Sequence, residues 1–144
     1  MAAVRDKPPI ALPTESSDPR SFAGAHMIIS KAEAEHYKWG DDCDGWILAS
    51  GSDLLVIEEQ MPAKTCEIRH YHAKSKQFFY VLTGNLTMEV DGALFDIPAR
   101  SGIEIKPYTR HQARNDGDPP VMFLVISAPT TRGDRVEAST PNDD

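Results

Sequence analysis

The chain has 144 residues, enough for one domain with a single hydrophobic core and too few for two large ones. Its formal net charge of -7 at pH 7 argues against a general nucleic-acid surface or an anionic-membrane surface, because both need a basic patch. The longest strongly apolar run, Val121 to Ile126, is far too short to span a membrane. We therefore expect neither nucleic acid nor a membrane among the partners.

The beginning of the chain differs in composition from the rest. Residues 1–26 are rich in Pro, Ser and Ala, which predicts a flexible N-terminal arm with neither helix nor strand. The arm has scattered acidic residues and no continuous apolar segment, so a secretory signal is not expected. Cys43 and Cys66 form no disulfide framework by count or spacing. These features favour a reducing, cytoplasmic location.

A capping-box pattern follows the arm. Ser30 is three positions before Glu33, which predicts a short helical turn through Glu35. Three aspartates then precede Gly45 in the segment 41–45, but the full calcium-loop pattern with its closing glutamate is missing. We interpret that segment as a solvated turn.

From Leu54 onward, short runs of β-branched and aromatic residues alternate with turn residues, a pattern typical of an antiparallel sandwich or barrel. Asp91-Gly92 predicts a tight hairpin, and the alternation before it places Leu86, Met88 and Val90 inward. The pattern predicts an all-β domain over residues 27–136, followed by a polar acidic tail over 137–144.

Three histidines are candidates for one site. In an extended segment, His70 and His72 project from the same face, and Gln77 opens the next strand after a polar turn. A bend before His111 can deliver a third imidazole from a distant strand. Imidazole is the commonest metal ligand, and one metal ion would satisfy all three rings. The alternative is a set of hydrogen-bonded pocket histidines without a metal.

These residues resemble the two motifs of the cupin superfamily. His70, His72 and Gly84 match the first motif, and His111 and Asn115 match the second. The departures are Lys64, Arg100, Lys106 and Tyr108 at positions where the motifs have Gly, Gly, Pro and Gly, and Gln77 at the usual Glu position. The resemblance covers roughly residues 50–128 and implies a double-stranded β-helix, the jelly-roll barrel.

The resemblance also implies one divalent transition metal ion bound by His70, His72 and His111, with Gln77 at the fourth position. An amide cancels none of the cation's charge, so zinc, nickel, iron or copper is expected more than manganese. On the strand of Gln77, Phe79 and Val81 are expected to form an apolar pocket wall. Tyr108 is expected to narrow the mouth of the pocket.

Two classes of function fit this description. The first is a metal-dependent enzyme, an oxygenase, isomerase or lyase, acting on a small molecule; the second is a non-catalytic binding module or metabolite or sugar sensor. The resemblance implies a homodimer.

Glu58 and Glu59 are adjacent, so only one can face the interior as an acid or base, and a solvated strand edge is the alternative. Arg132-Gly133-Asp134 spells an adhesion tripeptide, interpreted here as a chance match in a turn near a subunit contact.

Overall fold

The structure, a computed structural model, describes residues 27–139, and these residues form twelve β-strands and no helix. The strands are β1 Glu35–Trp39, β2 Cys43–Ser50, β3 Leu55–Met61, β4 Thr65–Cys66, β5 His70–His72, β6 Lys76–Thr83, β7 Asn85–Val90, β8 Ala93–Pro98, β9 Gly102–Ile105, β10 His111–Asn115, β11 Val121–Ala128 and β12 Arg135–Glu137. The prediction of an all-β domain is confirmed for the described residues. Within the described part of the chain, no helix is long and apolar enough to cross a membrane.

The strands form two antiparallel sheets. The first has the order β1-β2-β3-β11-β6-β9, and the second has the order β12-β5-β10-β7-β8 with β4 attached to β10. Strands distant in sequence lie side by side in both sheets, as β3 and β11 do in the first. This is the predicted double-stranded β-helix.

The predicted helical turn near Ser30 does not extend into a helix. The Ser30 carbonyl accepts hydrogen bonds from the N–H groups of Glu33 and Ala34, both at 3.0 Å, which closes one turn. Strand β1 begins directly afterwards at Glu35 and pairs with β2. The capping signal was therefore local, and pairing with β2 determined the conformation of the residues that follow.

The hydrophobic core lies between the two sheets. Phe79 and Phe123 from the first sheet are almost completely buried, with ring centroids 6.1 Å apart. Leu86 and Met88 from the second sheet are fully buried in the same cluster, and Val90 packs against it, as the alternation predicts. Burying side chains of this size stabilises the fold by about 1.5–3 kcal/mol each.

The β7–β8 hairpin has the predicted turn. Asp91 and Gly92 have φ values of 48° and 91°, as a two-residue turn with two left-handed positions requires. The register then pairs Val90 with Ala93 and Leu86 with Ile97.

The last described segment, residues 129–139, runs back along the second sheet, and we call it the strap. Its strand β12 pairs with β5, placing Arg135 opposite His72 and Glu137 opposite His70. Arg69, which forms a buried 2.5 Å ion pair with Glu89, also donates a hydrogen bond to the Ser139 carbonyl. The predicted acidic tail thus begins inside β12, whereas residues 140–144 and the predicted arm, 1–26, lie outside the described residues.

Candidate metal centre

Three histidines meet on the inner side of the second sheet. His70 and His72 are buried on one face of β5, while Tyr71 between them faces the other way. His111 opens β10 and is the direct cross-strand neighbour of His70, with ring centroids 4.5 Å apart. One potential ligand atom from each ring lies within 4.8 Å of the other two, so small side-chain rotations would bring all three onto one ion.

The backbone fixes which nitrogen of each ring faces the site. The Nδ1 atoms of His70, His111 and His72 lie 2.7, 2.8 and 3.2 Å from the carbonyl oxygens of Ile68, Thr109 and Asp134, respectively. A carbonyl can only accept a hydrogen bond, so each Nδ1 carries the proton and donates it. In the neutral ring Nε2 is then the unprotonated nitrogen, the form in which imidazole binds a metal.

Gln77 belongs to the facing sheet and lines the same cavity. Its Nε2 donates a hydrogen bond to Ser127 Oγ at 3.1 Å, which orients the amide. No hydrogen-bond donor within residues 27–139 contacts the buried Oε1 of Gln77. Because a buried polar atom without a partner is costly, a bound cation or a ligand group fits this position.

The cavity between the sheets has a volume of about 190 Å³. Its apolar wall contains Phe79, the predicted pocket residue, together with Leu55, Ile57 and Val125. His70, His72 and Gln77 supply polar groups, and the buried ring of His111 lies behind them, 6.0 Å from the ring of Phe79. A mostly apolar cavity with a few convergent polar groups is typical of a small-molecule site.

Two other predicted pocket residues lie elsewhere. Val81 has the same orientation as Phe79, but two residues further along β6 it is fully buried in the core and does not line the cavity. Tyr108 is 67% exposed, and its ring stacks on Tyr71 on the outer side of β5 with centroids 6.2 Å apart. Its positive φ of 64° lets its N–H reach the His72 carbonyl at 2.7 Å while the ring stays outside.

One acidic side chain reaches the cavity. Glu59 is 1% exposed and lines it, whereas Glu58 on the other face of β3 pairs with Lys31 at 2.6 Å. The Tyr37 hydroxyl donates a hydrogen bond to Glu59 Oε2 at 3.3 Å. Burial, and then the negative charge of Glu59, raise the pKa of Tyr37 far above its ordinary value, so this hydroxyl remains a donor.

The strap closes one side of the cavity, a role that the sequence did not predict. Thr131, Arg132, Gly133 and Arg135 all line it. Local patterning carries little information about this arrangement, since it depends on the pairing of β12 with β5, more than sixty residues apart. The only local sign was the turn-forming character of residues 132–134.

Comparison with known proteins agrees with the fold. The cupin domain profile matches residues 56–127. Uncharacterized protein MJ1618 from Methanocaldococcus jannaschii is 31% identical over 111 residues, which cover 72% of this chain and 89% of that protein. This chain belongs to the cupin family. The three histidines and Gln77 lie within the stretch that the cupin profile matches.

Further matches include one more sequence and one solved structure. The polyketide synthase CurC from Streptomyces cyaneus is 43% identical over 60 residues, 42% of this cupin, and the match spans only 39% of the CurC chain. The crystal structure of a cupin-superfamily sugar phosphate isomerase from Silicibacter pomeroyi superposes with a TM-score of 0.65 at 20% identity, covering 72% of this chain and 76% of that one. At that identity the likeness concerns the fold alone.

Proposed function

We propose that this cupin binds one divalent transition metal ion through His70, His72 and His111 and acts as a metal-dependent enzyme on a small molecule. The observation that carries the proposal is the set of three Nδ1–H groups directed at backbone carbonyls, which leaves three neighbouring Nε2 atoms in ligand form. Gln77 Oε1 is the fourth candidate ligand.

The donor set determines which ions fit. Three imidazoles and one neutral amide favour zinc, nickel, iron or copper over manganese, which prefers carboxylate oxygens. When bound, such an ion would supply Lewis-acid or oxygen-binding chemistry. Residues of the chain itself would enclose the substrate: Phe79 and its apolar neighbours exclude water, and Glu59 presents a carboxylate held by Tyr37.

The size of the cavity supports a small-molecule substrate, and the isomerase from Silicibacter pomeroyi shows that the fold can serve such chemistry. Oxygenase, isomerase and lyase chemistry remain equal candidates. As part of the same proposal we expect a cytoplasmic homodimer that associates through an exposed sheet edge.

Metal analysis of protein purified without added metal tests the proposal. We expect about one ion per chain, as for a single metal site, in the wild type and in His36→Ala. His36 is a matched control because it lies on β1, where it contacts Asp44 at 2.6 Å and not the cavity. His72→Ala should lose most of the metal and keep its β-rich circular dichroism spectrum.

Two results would count against this assignment. Wild-type protein that contains no metal, and whose melting temperature does not respond to zinc, nickel or iron, would favour the non-catalytic binding module. Full metal retention in His72→Ala would show that the ligand set is wrong.

A further inference from the structure

We propose that the cavity recognises an anionic small molecule, one bearing a carboxylate or phosphate group, through Arg132 and Arg135 of the strap. The inference deepens the proposed function and rests on it, because it takes the cavity beside the three histidines as the substrate site.

The charge of the cavity is opposite to that of the chain. The protein as a whole carries a formal charge of -7. The charged side chains lining the cavity are nevertheless two guanidinium groups, of Arg132 and Arg135, and one carboxylate, of Glu59. Gln77 is neutral where most cupins have an acid, so a bound divalent ion would keep its full charge. The potential in the cavity thus favours an anion.

The two cationic side chains are of the type that binds such a ligand. A guanidinium group is planar and can donate two parallel hydrogen bonds to one carboxylate or phosphate. Arg135 is half-buried, its backbone pairs with His72, and its Nη2 donates a hydrogen bond to the Ile68 carbonyl at 3.3 Å. Arg132 is exposed and lines the cavity from the strap. One guanidinium group therefore belongs to the wall, and the other can meet a ligand as it enters.

Asp134 makes this arrangement rigid. Its carboxylate accepts hydrogen bonds from the backbone N–H groups of Ala73, Lys74 and Ser75, and its carbonyl accepts the Nδ1–H of His72. Asp134, which lies between the two arginines in sequence, is thus tied to the strand that carries two metal-ligand candidates. The Asp134 carboxylate is buried in these contacts, so residues 132–134 have a structural role here and do not present an adhesion motif.

Calorimetric titration of zinc-loaded protein with malonate and with malonamide tests the inference, since malonamide is a near-isosteric neutral analogue. Inorganic phosphate serves as a second anionic probe and separates a phosphate preference from a carboxylate preference. The variants are Arg132→Gln, Arg135→Gln and the double substitution. Arg114→Gln is the matched control, because Arg114 pairs with Asp116 at 3.2 Å and does not line the cavity.

We expect the wild type and Arg114→Gln to bind at least one anion and to bind malonamide much more weakly. Loss of a charge-assisted hydrogen bond should weaken anion binding about tenfold in each single variant and more in the double variant. Equal affinity for malonate and malonamide, absence of binding by both anions, or equal anion affinity in the wild type and the double variant would overturn the inference.

Metal content measured on the same samples separates the two proposals. The arginine variants should hold as much zinc as the wild type, because neither arginine is a ligand. Normal zinc content with anion binding that ignores the arginines would refute only the anion site. Arginine-dependent anion binding by a protein that takes up none of zinc, nickel, iron or copper would support the anion site and refute the metal centre.

Discussion

Replacing Asp134 with alanine should detach the strap. The substitution removes the acceptor for the N–H groups of Ala73, Lys74 and Ser75, at 3.0, 2.9 and 2.8 Å. Ser75 is 1% exposed, so leaving its backbone N–H without an acceptor should cost about 2 kcal/mol. Water can reach the N–H groups of Ala73 and Lys74, so losing their acceptor should cost about 1 kcal/mol each. The expected loss in the free energy of unfolding is about 4 kcal/mol, or roughly 15 °C in melting temperature for a domain of this size.

Differential scanning calorimetry measures this loss, with Glu137→Ala as the control because Glu137 is an exposed acid in the same strap. Asp134→Asn keeps one acceptor oxygen and should fall between the alanine variant and the wild type. The same loosening frees the ring of His72, whose Nδ1–H is held by the Asp134 carbonyl, so zinc affinity should fall about tenfold. If Asp134→Ala melts within about 2 °C of Glu137→Ala, the strap is not anchored as described.

Three further changes test other parts of the structure. Gly102→Ala should lower the melting temperature, because the added Cβ would lie 2.6 Å from a backbone carbonyl oxygen of β6. Gly117→Ala, whose added Cβ has its nearest contact at 3.6 Å, should leave the melting temperature unchanged. Equal melting temperatures for the two variants would show that β9 can shift. Gln77→Glu should raise manganese affinity relative to zinc in a competition assay, because a carboxylate offsets cation charge; an unchanged ratio would place Gln77 outside the ligand set. Burial acts to raise the pKa of Asp44, but hydrogen bonds from a histidine and a lysine of β1 outweigh it and hold the pKa below the ordinary 3.8. The stability that Asp44 adds is therefore present above pH 3.8 and is lost as the pH falls through the lower pKa of the folded state. The difference in melting temperature between Asp44→Asn and the wild type should therefore be present at pH 7 and shrink as the pH falls below 3.8; a difference that stays constant with pH would contradict this.

Features set by neighbouring residues could be predicted from the sequence. The alternation of β5 alone is enough to place both histidines on one face, and the Asp91-Gly92 pair requires left-handed backbone whatever its surroundings. The spacing of His70, His72 and Gly84 in one motif, and of His111 and Asn115 in the other, gave the resemblance to the family. Side-chain alternation and turn dipeptides depend only on neighbouring residues, so what they predict does not change when distant strands pair.

Features set by distant pairing could not be predicted in the same way. Strand β1 has few apolar residues, and its conformation follows from its register with β2, so a capping pattern ahead of it suggested a helical turn. The exposed ring of Tyr108 follows from a backbone φ that the residue type does not reveal. The approach of Arg132 and Arg135 to the cavity depends on β12 joining β5, which no short pattern encodes.

His72 connects the candidate metal centre to the strap. Its ring nitrogen donates to the Asp134 carbonyl, and its backbone pairs with Arg135. An ion that fixes the ring of His72 would also restrict the strap. Each strap residue that is ordered before the ligand arrives removes about 1–2 kcal/mol of conformational-entropy cost from ligand binding. Linkage makes the effect reciprocal: whatever factor the metal adds to anion affinity, the anion must add to metal affinity. On these proposals the strap and the histidines would act as one site, although Asp134 follows His72 by 62 residues in sequence.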